Sequence, residues 1–296
     1  MFSVAITGEI GSGKSTLAKI WGGMGANVID LDALAKNQWP RPEIREAAIR
    51  RWGEDTYSDR GPDFTRLAGR IFGSAEDYRF AIDLIHPGAM TEASRIFHSL
   101  SGWVVLEIPL LFETGWFDLI DCVVCVTAAD DLRIARAATR GWGKNEFSAR
   151  ERFMIESPQK QAMSDIVMSN TGSLDAWEAS ALEFGALLRK MSSVYELSVR
   201  CKDLNEARAI MLALVGRRLA AGADIAEIES VFRWREEVES SQEYLLHSFT
   251  VERSLREAMR CIREIHSYEL PVITASEVRR SDYGTLKWVA DNCGGE

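Results

Sequence analysis

Eight residues near the start of the chain constrain its fold more than any others: Gly8-x-x-x-x-Gly13-Lys14-Ser15. They follow a short apolar, β-branched run, Phe2–Thr7, and precede a stretch with apolar residues at helical spacing, Leu17, Ala18, Ile20 and Trp21. A glycine-rich loop between strand and helix turns backbone N–H groups inward onto phosphate oxygens, and the positive end of the helix adds to that field. Gly11, Ser12, Gly13, Lys14, Ser15 and Thr16 are therefore the expected cradle of a nucleoside triphosphate. Lys14 can reach the outer phosphates, and the Ser15 hydroxyl can ligate Mg²⁺. The loop commits the N-terminal part to an α/β fold. Short apolar strands at Asn27–Ile29, Trp103–Ile108, Cys122–Thr127 and Ile166–Met168 alternate with helical segments, which predicts a parallel sheet covered on both faces. Prolines and glycines predict breaks at Pro40/Pro42, Gly61-Pro62 and His86-Pro87.

The pattern restarts near residue 191. Tyr195, Leu197, Val199 and Cys201 alternate with polar residues. An amphipathic helix over 205–219, a strand pair over 223–235 and 238–251, a helix over 254–266, a strand over 272–278 and a last helix over 285–292 follow. The order βαββαβ predicts an α+β ferredoxin-like domain. The expected division is residues 1–190 and 192–296.

At 46% apolar and 27% charged residues, 296 residues can bury two ordinary cores. A net charge of −9 argues against a nucleic-acid partner. No apolar run reaches the ~20 residues that span a bilayer, so no membrane partner is expected. The N-terminus has no basic leader, and the five cysteines are scattered, which points to a reduced, cytoplasmic protein. Cys122 and Cys125 read as opposite faces of one buried strand rather than a metal pair.

Asp30 and Asp32 fall where the second strand should end, at the carboxyl edge of the sheet beside the phosphate loop. Asp32 is the candidate base for an attacking hydroxyl and Asp30 a candidate Mg²⁺ ligand, the alternative for either being a turn or helix cap. Arg133, Arg136 and Arg140 share one expected helix over 130–141, before the loop Gly141-Trp142-Gly143-Lys144. They read either as lid arginines that neutralise a phosphoryl group in flight or as a solvated face.

These residues together resemble the dephospho-coenzyme A kinase family over residues 1–190. The resemblance is carried by Ile6–Thr16, by Val28-Ile29-Asp30-Leu31-Asp32, by Leu84-Ile85-His86-Pro87, by Pro109-Leu110-Leu111-Phe112-Glu113 and by Ser169-Asn170-Thr171-Gly172-Ser173. It implies a P-loop kinase that uses ATP and Mg²⁺ to phosphorylate the ribose 3′-hydroxyl of dephospho-coenzyme A. Asp32, Lys14 and Arg140 would be catalytic, with Arg136 on the nucleotide, and the helical region 60–100 would hold the substrate. The chain departs from the family at Arg140-Gly141-Trp142 and at Glu156-Ser157-Pro158. Residues 192–296 resemble the CutA family through Phe232-Arg233-Trp234, His266-Ser267-Tyr268-Glu269-Leu270-Pro271, Tyr283 and Leu286-Lys287-Trp288, which implies a homotrimer. Gly222 and Phe249 replace a common cysteine and lysine there, and His247 and His266 are the remaining metal candidates. A different P-loop small-molecule kinase and a nucleotide-binding assembly protein are the alternatives; no guanine-reading Asn-Lys-x-Asp is present.

Overall fold

The computed structural model describes residues 2–115, 120–278 and 281–294. The chain divides into two compact units, Ser3–Leu182 and from Glu183 onward. The strands, in chain order, are β1 (Phe2–Gly8), β2 (Asn27–Asp30), β3 (Tyr57–Ser58), β4 (Gly61–Pro62), β5 (Trp103–Glu107), β6 (Cys122–Thr127), β7 (Ile166–Ser169), β8 (Val194–Cys201), β9 (Gly222–Trp234), β10 (Glu237–Val251) and β11 (Ile273–Glu277). The helices are α1 (Lys14–Gly23), α2 (Leu31–Lys36), α3 (Pro42–Trp52), α4 (Phe64–Ile71), α5 (Ala75–His98), α6 (Leu111–Thr114), α7 (Asp130–Ala138), α8 (Lys144–Glu151), α9 (Ser157–Ala162), α10 (Leu174–Met191), α11 (Leu204–Gly216), α12 (Glu252–Ile265) and α13 (Tyr283–Asn292).

In the first unit five strands form one sheet in the order β2-β5-β1-β6-β7, and the registers of β2 with β5, β1 with β6 and β6 with β7 are parallel. The central strands are buried on both faces, as their unbroken apolar runs require; every residue of β1 and β5 is buried. The carboxyl ends of β1, β2 and β5 deliver the phosphate loop, Asp30 and Glu107 to one edge of the sheet. A separate, largely helical cluster, with Trp39, Ile44, Ala48, Trp52, Tyr57, Leu67, Ala81 and Ile85 at its core, is built from α3, α4, the first half of α5, the turn before α3 and β3.

Three expectations need correction. His86-Pro87 does not break the chain: α5 runs through it for 24 residues. Proline costs a helix interior about 3 kcal/mol, but Ala81, Ile85, Ala89, Ala93 and Phe97 form a continuous buried face on either side of it, and burying that face outweighs the lost bond. The helix expected over 130–141 ends at Ala138, so Arg140 lies in the turn beyond it, where Gly141 takes a positive φ of 82°. The charged helix expected over 145–156 stops at Glu151, and a further short helix starts at Ser157 with Pro158 in its first turn, where proline costs no hydrogen bond.

In the second unit the strands pair antiparallel in the order β11-β8-β10-β9, with two helices completing the βαββαβ order and α13 following. Leu197, Val199 and Cys201 of β8 meet Ile210 and Leu214 of α11 and Ile262 of α12 in one core. This is the ferredoxin-like arrangement, and the alternating face of β8 is what the sequence pattern requires.

Candidate active site

The phosphate loop is held open from outside. Gly11 and Gly13 adopt positive φ, 77° and 109°, and a side chain on either would run into the Arg133 carbonyl or the Asn170 amide. Arg136 Nη1 donates to the carbonyls of Gly11 and Ser12 at 3.2 and 3.4 Å, and Asn170 Nδ2 donates to Ser12 O at 2.8 Å. Arg136 Nη2 in turn donates to Asn170 Oδ1 at 3.3 Å. With these carbonyls engaged on the outside, the N–H groups are left for an anion inside. Arg136 thus lies against the loop's backbone.

Arg133 is placed differently from the sequence expectation. Its side chain is only 4% exposed; Nε donates to Ile10 O at 3.0 Å, and the guanidinium pairs with Glu9 at 3.0 Å, Asp130 at 2.7 Å and Glu151. It braces the loop, and with Glu9, Glu151 and Lys160 it shares the wall of a separate cavity.

Lys14 is buried and folds back, donating to Gly8 O and Glu9 O at 3.2 and 2.8 Å. Burial pulls its pKa down to about 8, against the opposing pull of Glu107 and Asp32. Ser15 donates from Oγ to Glu107 Oε1 at 2.6 Å. Burial raises the pKa of Glu107, and Asp30 and Asp32 raise it further. Sequence reading missed Glu107. The signal was available, since it is the carboxylate at the carboxyl end of the strand next to β1.

Asp32 stands in the first turn of α2 and still meets water, but protein walls on most sides raise its pKa, with Asp30 adding to the rise and Lys14 opposing it. Arg140 is exposed and within the electrostatic reach of both Lys14 and Asp32. Asp30, not Asp32, caps the helix: its Oδ1 accepts from Ala33 N at 3.0 Å. Thr16 is exposed on the first turn of α1. Lys14, Ser15, Asp30, Asp32, Arg140 and Glu107 are thereby brought to one place.

A cleft opens beside Asp32, lined by Leu31, Ala35, His86, Ala89, Met90 and the Ile108–Leu110 corner. Burial holds His86 below its usual pKa, so it presents a neutral imidazole. Tyr78 is pushed up to about 12 by burial and by Glu113 and Asp32. Neither residue was given a role from the sequence.

Residues 2–176 match the family model for dephospho-CoA kinase. The chain belongs to the dephospho-CoA kinase family. A dephospho-CoA kinase of Corynebacterium diphtheriae is 36% identical over 188 residues, 61% of this chain and 94% of that protein. The crystal structure of TT1252 from Thermus thermophilus superposes with a TM-score of 0.52 at 33% identity, covering 62% of this chain and 96% of that one. The first unit is thus the kinase, an enzyme of the P-loop fold. Residues 195–292 match the model for CutA1 divalent ion tolerance protein, so the chain joins a kinase to a CutA1-type unit. The divalent cation tolerance protein CutA1 of Thermus thermophilus is 29% identical to this unit, with 34% of this chain and 99% of that one covered and a TM-score of 0.34.

In the CutA1-type unit the two histidines have separate partners. His247 lies 2.6 Å from Glu196 and 3.2 Å from Ser198. His266 lies with Cys201 and Glu206 in a buried cluster. There Tyr268 N–H donates to His266 Nδ1 at 3.1 Å, while Glu206 accepts backbone N–H groups of Lys202 and Ser267 at 2.9 and 2.7 Å.

Proposed function

We propose that the kinase unit transfers the γ-phosphoryl group of ATP to the ribose 3′-hydroxyl of dephospho-coenzyme A, giving coenzyme A. The observation that carries this reading is the position of Asp32, a carboxylate within the electrostatic reach of Lys14 and Arg140 and in the lining of a mostly apolar cleft. In this reading Gly11–Thr16 cradle ATP. Lys14 and Arg140 bear on the transferring phosphoryl, and Arg136 keeps the loop in shape from behind. Asp32 orients the acceptor hydroxyl and takes its proton, which its raised pKa favours.

Ser15 would hold Mg²⁺, with Asp30 and Glu107 beside it. The residues fit the ion, because a hydroxyl and carboxylates are the hard oxygen donors Mg²⁺ takes, and Asp30 and Asp32 stand near enough to Glu107 to raise its pKa. When bound, Mg²⁺ neutralises charge on the phosphates.

We place the sequence boundary between the kinase and CutA1-type domains at Met191, the last residue of α10, although the compact units divide within that helix after Leu182. We read the CutA1-type unit as trimer-forming; Val231, Val238, Leu270 and Trp288 leave large apolar surfaces exposed on it. Among the described residues no helix is long and apolar enough to cross a membrane, and the reading places the protein in the cytoplasm.

The test is ADP release with ATP, Mg²⁺ and dephospho-coenzyme A, against adenosine and a panel of nucleosides. Turnover that requires dephospho-coenzyme A and yields coenzyme A supports the reading. Turnover with nucleosides instead would replace it with another small-molecule kinase, and nucleotide binding without turnover with a nucleotide-binding assembly protein.

A further inference from the structure

The Pro109–Glu113 corner carries a charge pair that the transfer chemistry does not use. Lys160 of α9 is fully buried, and its Nζ donates to Glu113 Oε1 at 2.8 Å and to Pro109 O at 2.9 Å. Glu113 Oε1 also accepts the N–H of Ile155 at 2.9 Å. Pro109, Leu110 and Thr114 line the cleft beside Asp32, so one buried ion pair fixes that wall. Its other hold, Ile155, lies in the segment returning from α8.

The same segment is fastened at three more points. Glu151 pairs with Arg133, the brace of the phosphate loop. Phe153 stacks on Tyr78 of α5 with ring centroids 4.4 Å apart and planes 9° apart, while Arg152 Nη2 donates to Phe72 O at 2.6 Å. Residues 151–160 therefore reach the brace of the nucleotide loop, the residues around Phe72 and Tyr78, and the wall of the acceptor cleft. A buried ion pair is a weak source of stability, because desolvating two charges offsets most of their attraction. Its value here lies in geometry: it allows one arrangement of cleft wall against return segment.

We propose that Glu113 and Lys160 are positioning residues that couple the two substrate sites, so that ATP seated on the loop tightens the acceptor cleft through residues 151–160. This rests on the transfer reading above and adds to it the route by which one substrate promotes binding of the other.

The experiment is calorimetric binding of dephospho-coenzyme A to the full chain, with and without a non-hydrolysable ATP analogue. Wild type, Glu113→Gln and the double variant Glu113→Gln/Lys160→Met are compared, each with its melting temperature. The analogue is expected to tighten acceptor binding in wild type by about 5- to 150-fold, the usual span of such coupling, and by less than about 2-fold in Glu113→Gln. The double variant removes both buried charges at similar volume. It should recover most of the melting temperature and none of the coupling, since no Nζ remains to hold Pro109 O. Coupling that returns together with stability, or that survives in Glu113→Gln, would overturn the proposal and leave the pair purely structural. If wild type does not bind dephospho-coenzyme A at all, the transfer reading fails instead. The proposal is then read from hydrogen exchange at the Ile155 amide on adding the analogue alone. Protection in wild type that is lost in Glu113→Gln sustains it; equal protection in both overturns it.

Discussion

Replacing Arg133 separates a residue that braces the phosphate loop from one that touches nucleotide. In Arg133→Met the side-chain volume is kept, but Glu9 loses its partner at 3.0 Å, Ile10 O loses its donor at 3.0 Å, and Asp130 and Glu151 lose their shared cation. Asp130 is exposed and rehydrates at little cost. Glu9 is mostly buried and Glu151 half so, and removing one partner of a buried pair costs about 3–5 kcal/mol. For a unit of this size each kcal/mol lowers the melting temperature by roughly 2–4 °C, which puts the expected loss at about 6–20 °C. Of the nine tryptophans only Trp234 and Trp288 lie in the CutA1-type unit, so tryptophan fluorescence on the full chain reports chiefly on the kinase. ATP affinity should fall in parallel, because Glu9 and Ile10 are loop residues, and Arg133→Lys, which restores charge without the planar fork, should recover part of both losses. A melting temperature within about 1 °C of wild type together with a large loss of ATP affinity would refute the bracing argument. It would return Arg133 to the nucleotide side.

Asp32→Asn should keep ATP affinity within a few-fold and lower kcat by about 10²–10⁴, the usual contribution of a positioned base; unchanged kcat would remove Asp32 from the mechanism. ATP binding should also depend on pH. With Lys14 near 8 in the free enzyme, binding an anion favours its protonated form, so affinity is level below that pH and falls as pH rises through about 8. In Asp32→Asn one attraction holding the proton on Lys14 is gone, so the fall should begin at lower pH in a titration of Kd; a shift to higher pH would contradict the assigned field. Gly13→Ala places a Cβ on the Asn170 amide at a φ of 109°, and the loop should lose measurable ATP binding while hydrogen exchange in β8 of the CutA1-type unit is unchanged. Cys122 and Cys125 are buried with thiols pushed up chiefly by burial, Cys125 to about 11, so neither should react with N-ethylmaleimide at pH 7.5 before the unit unfolds.

The parts of this site legible in the sequence are those where chemistry and local geometry coincide. A glycine loop between strand and helix has one use, and a carboxylate at the end of a parallel strand has few, so Lys14, Ser15 and Asp32 could be named from residue types alone. What escaped was set by rotation and by contacts distant along the chain. Arg133, Arg136 and Arg140 would share a face on an ideal helix of 3.6 residues per turn. The helix stops at Ala138, however, and three arginines of one type receive three tasks: brace, loop support and exposed charge. Proline at 87 read as a stop because a local rule was applied where a continuous buried face decides. Glu113 and Lys160 are 47 positions apart, and nothing in either neighbourhood announces the other. Yet burial of an unpaired lysine is so unfavourable that the partner must exist once the fold hides Lys160. The groups proposed to act on the phosphates and the acceptor were readable because each would act through its own chemistry. The groups that hold them were not, because they act only through partners that folding brings near, and substitutions among them should therefore alter how the two substrates influence each other before they alter the chemical step.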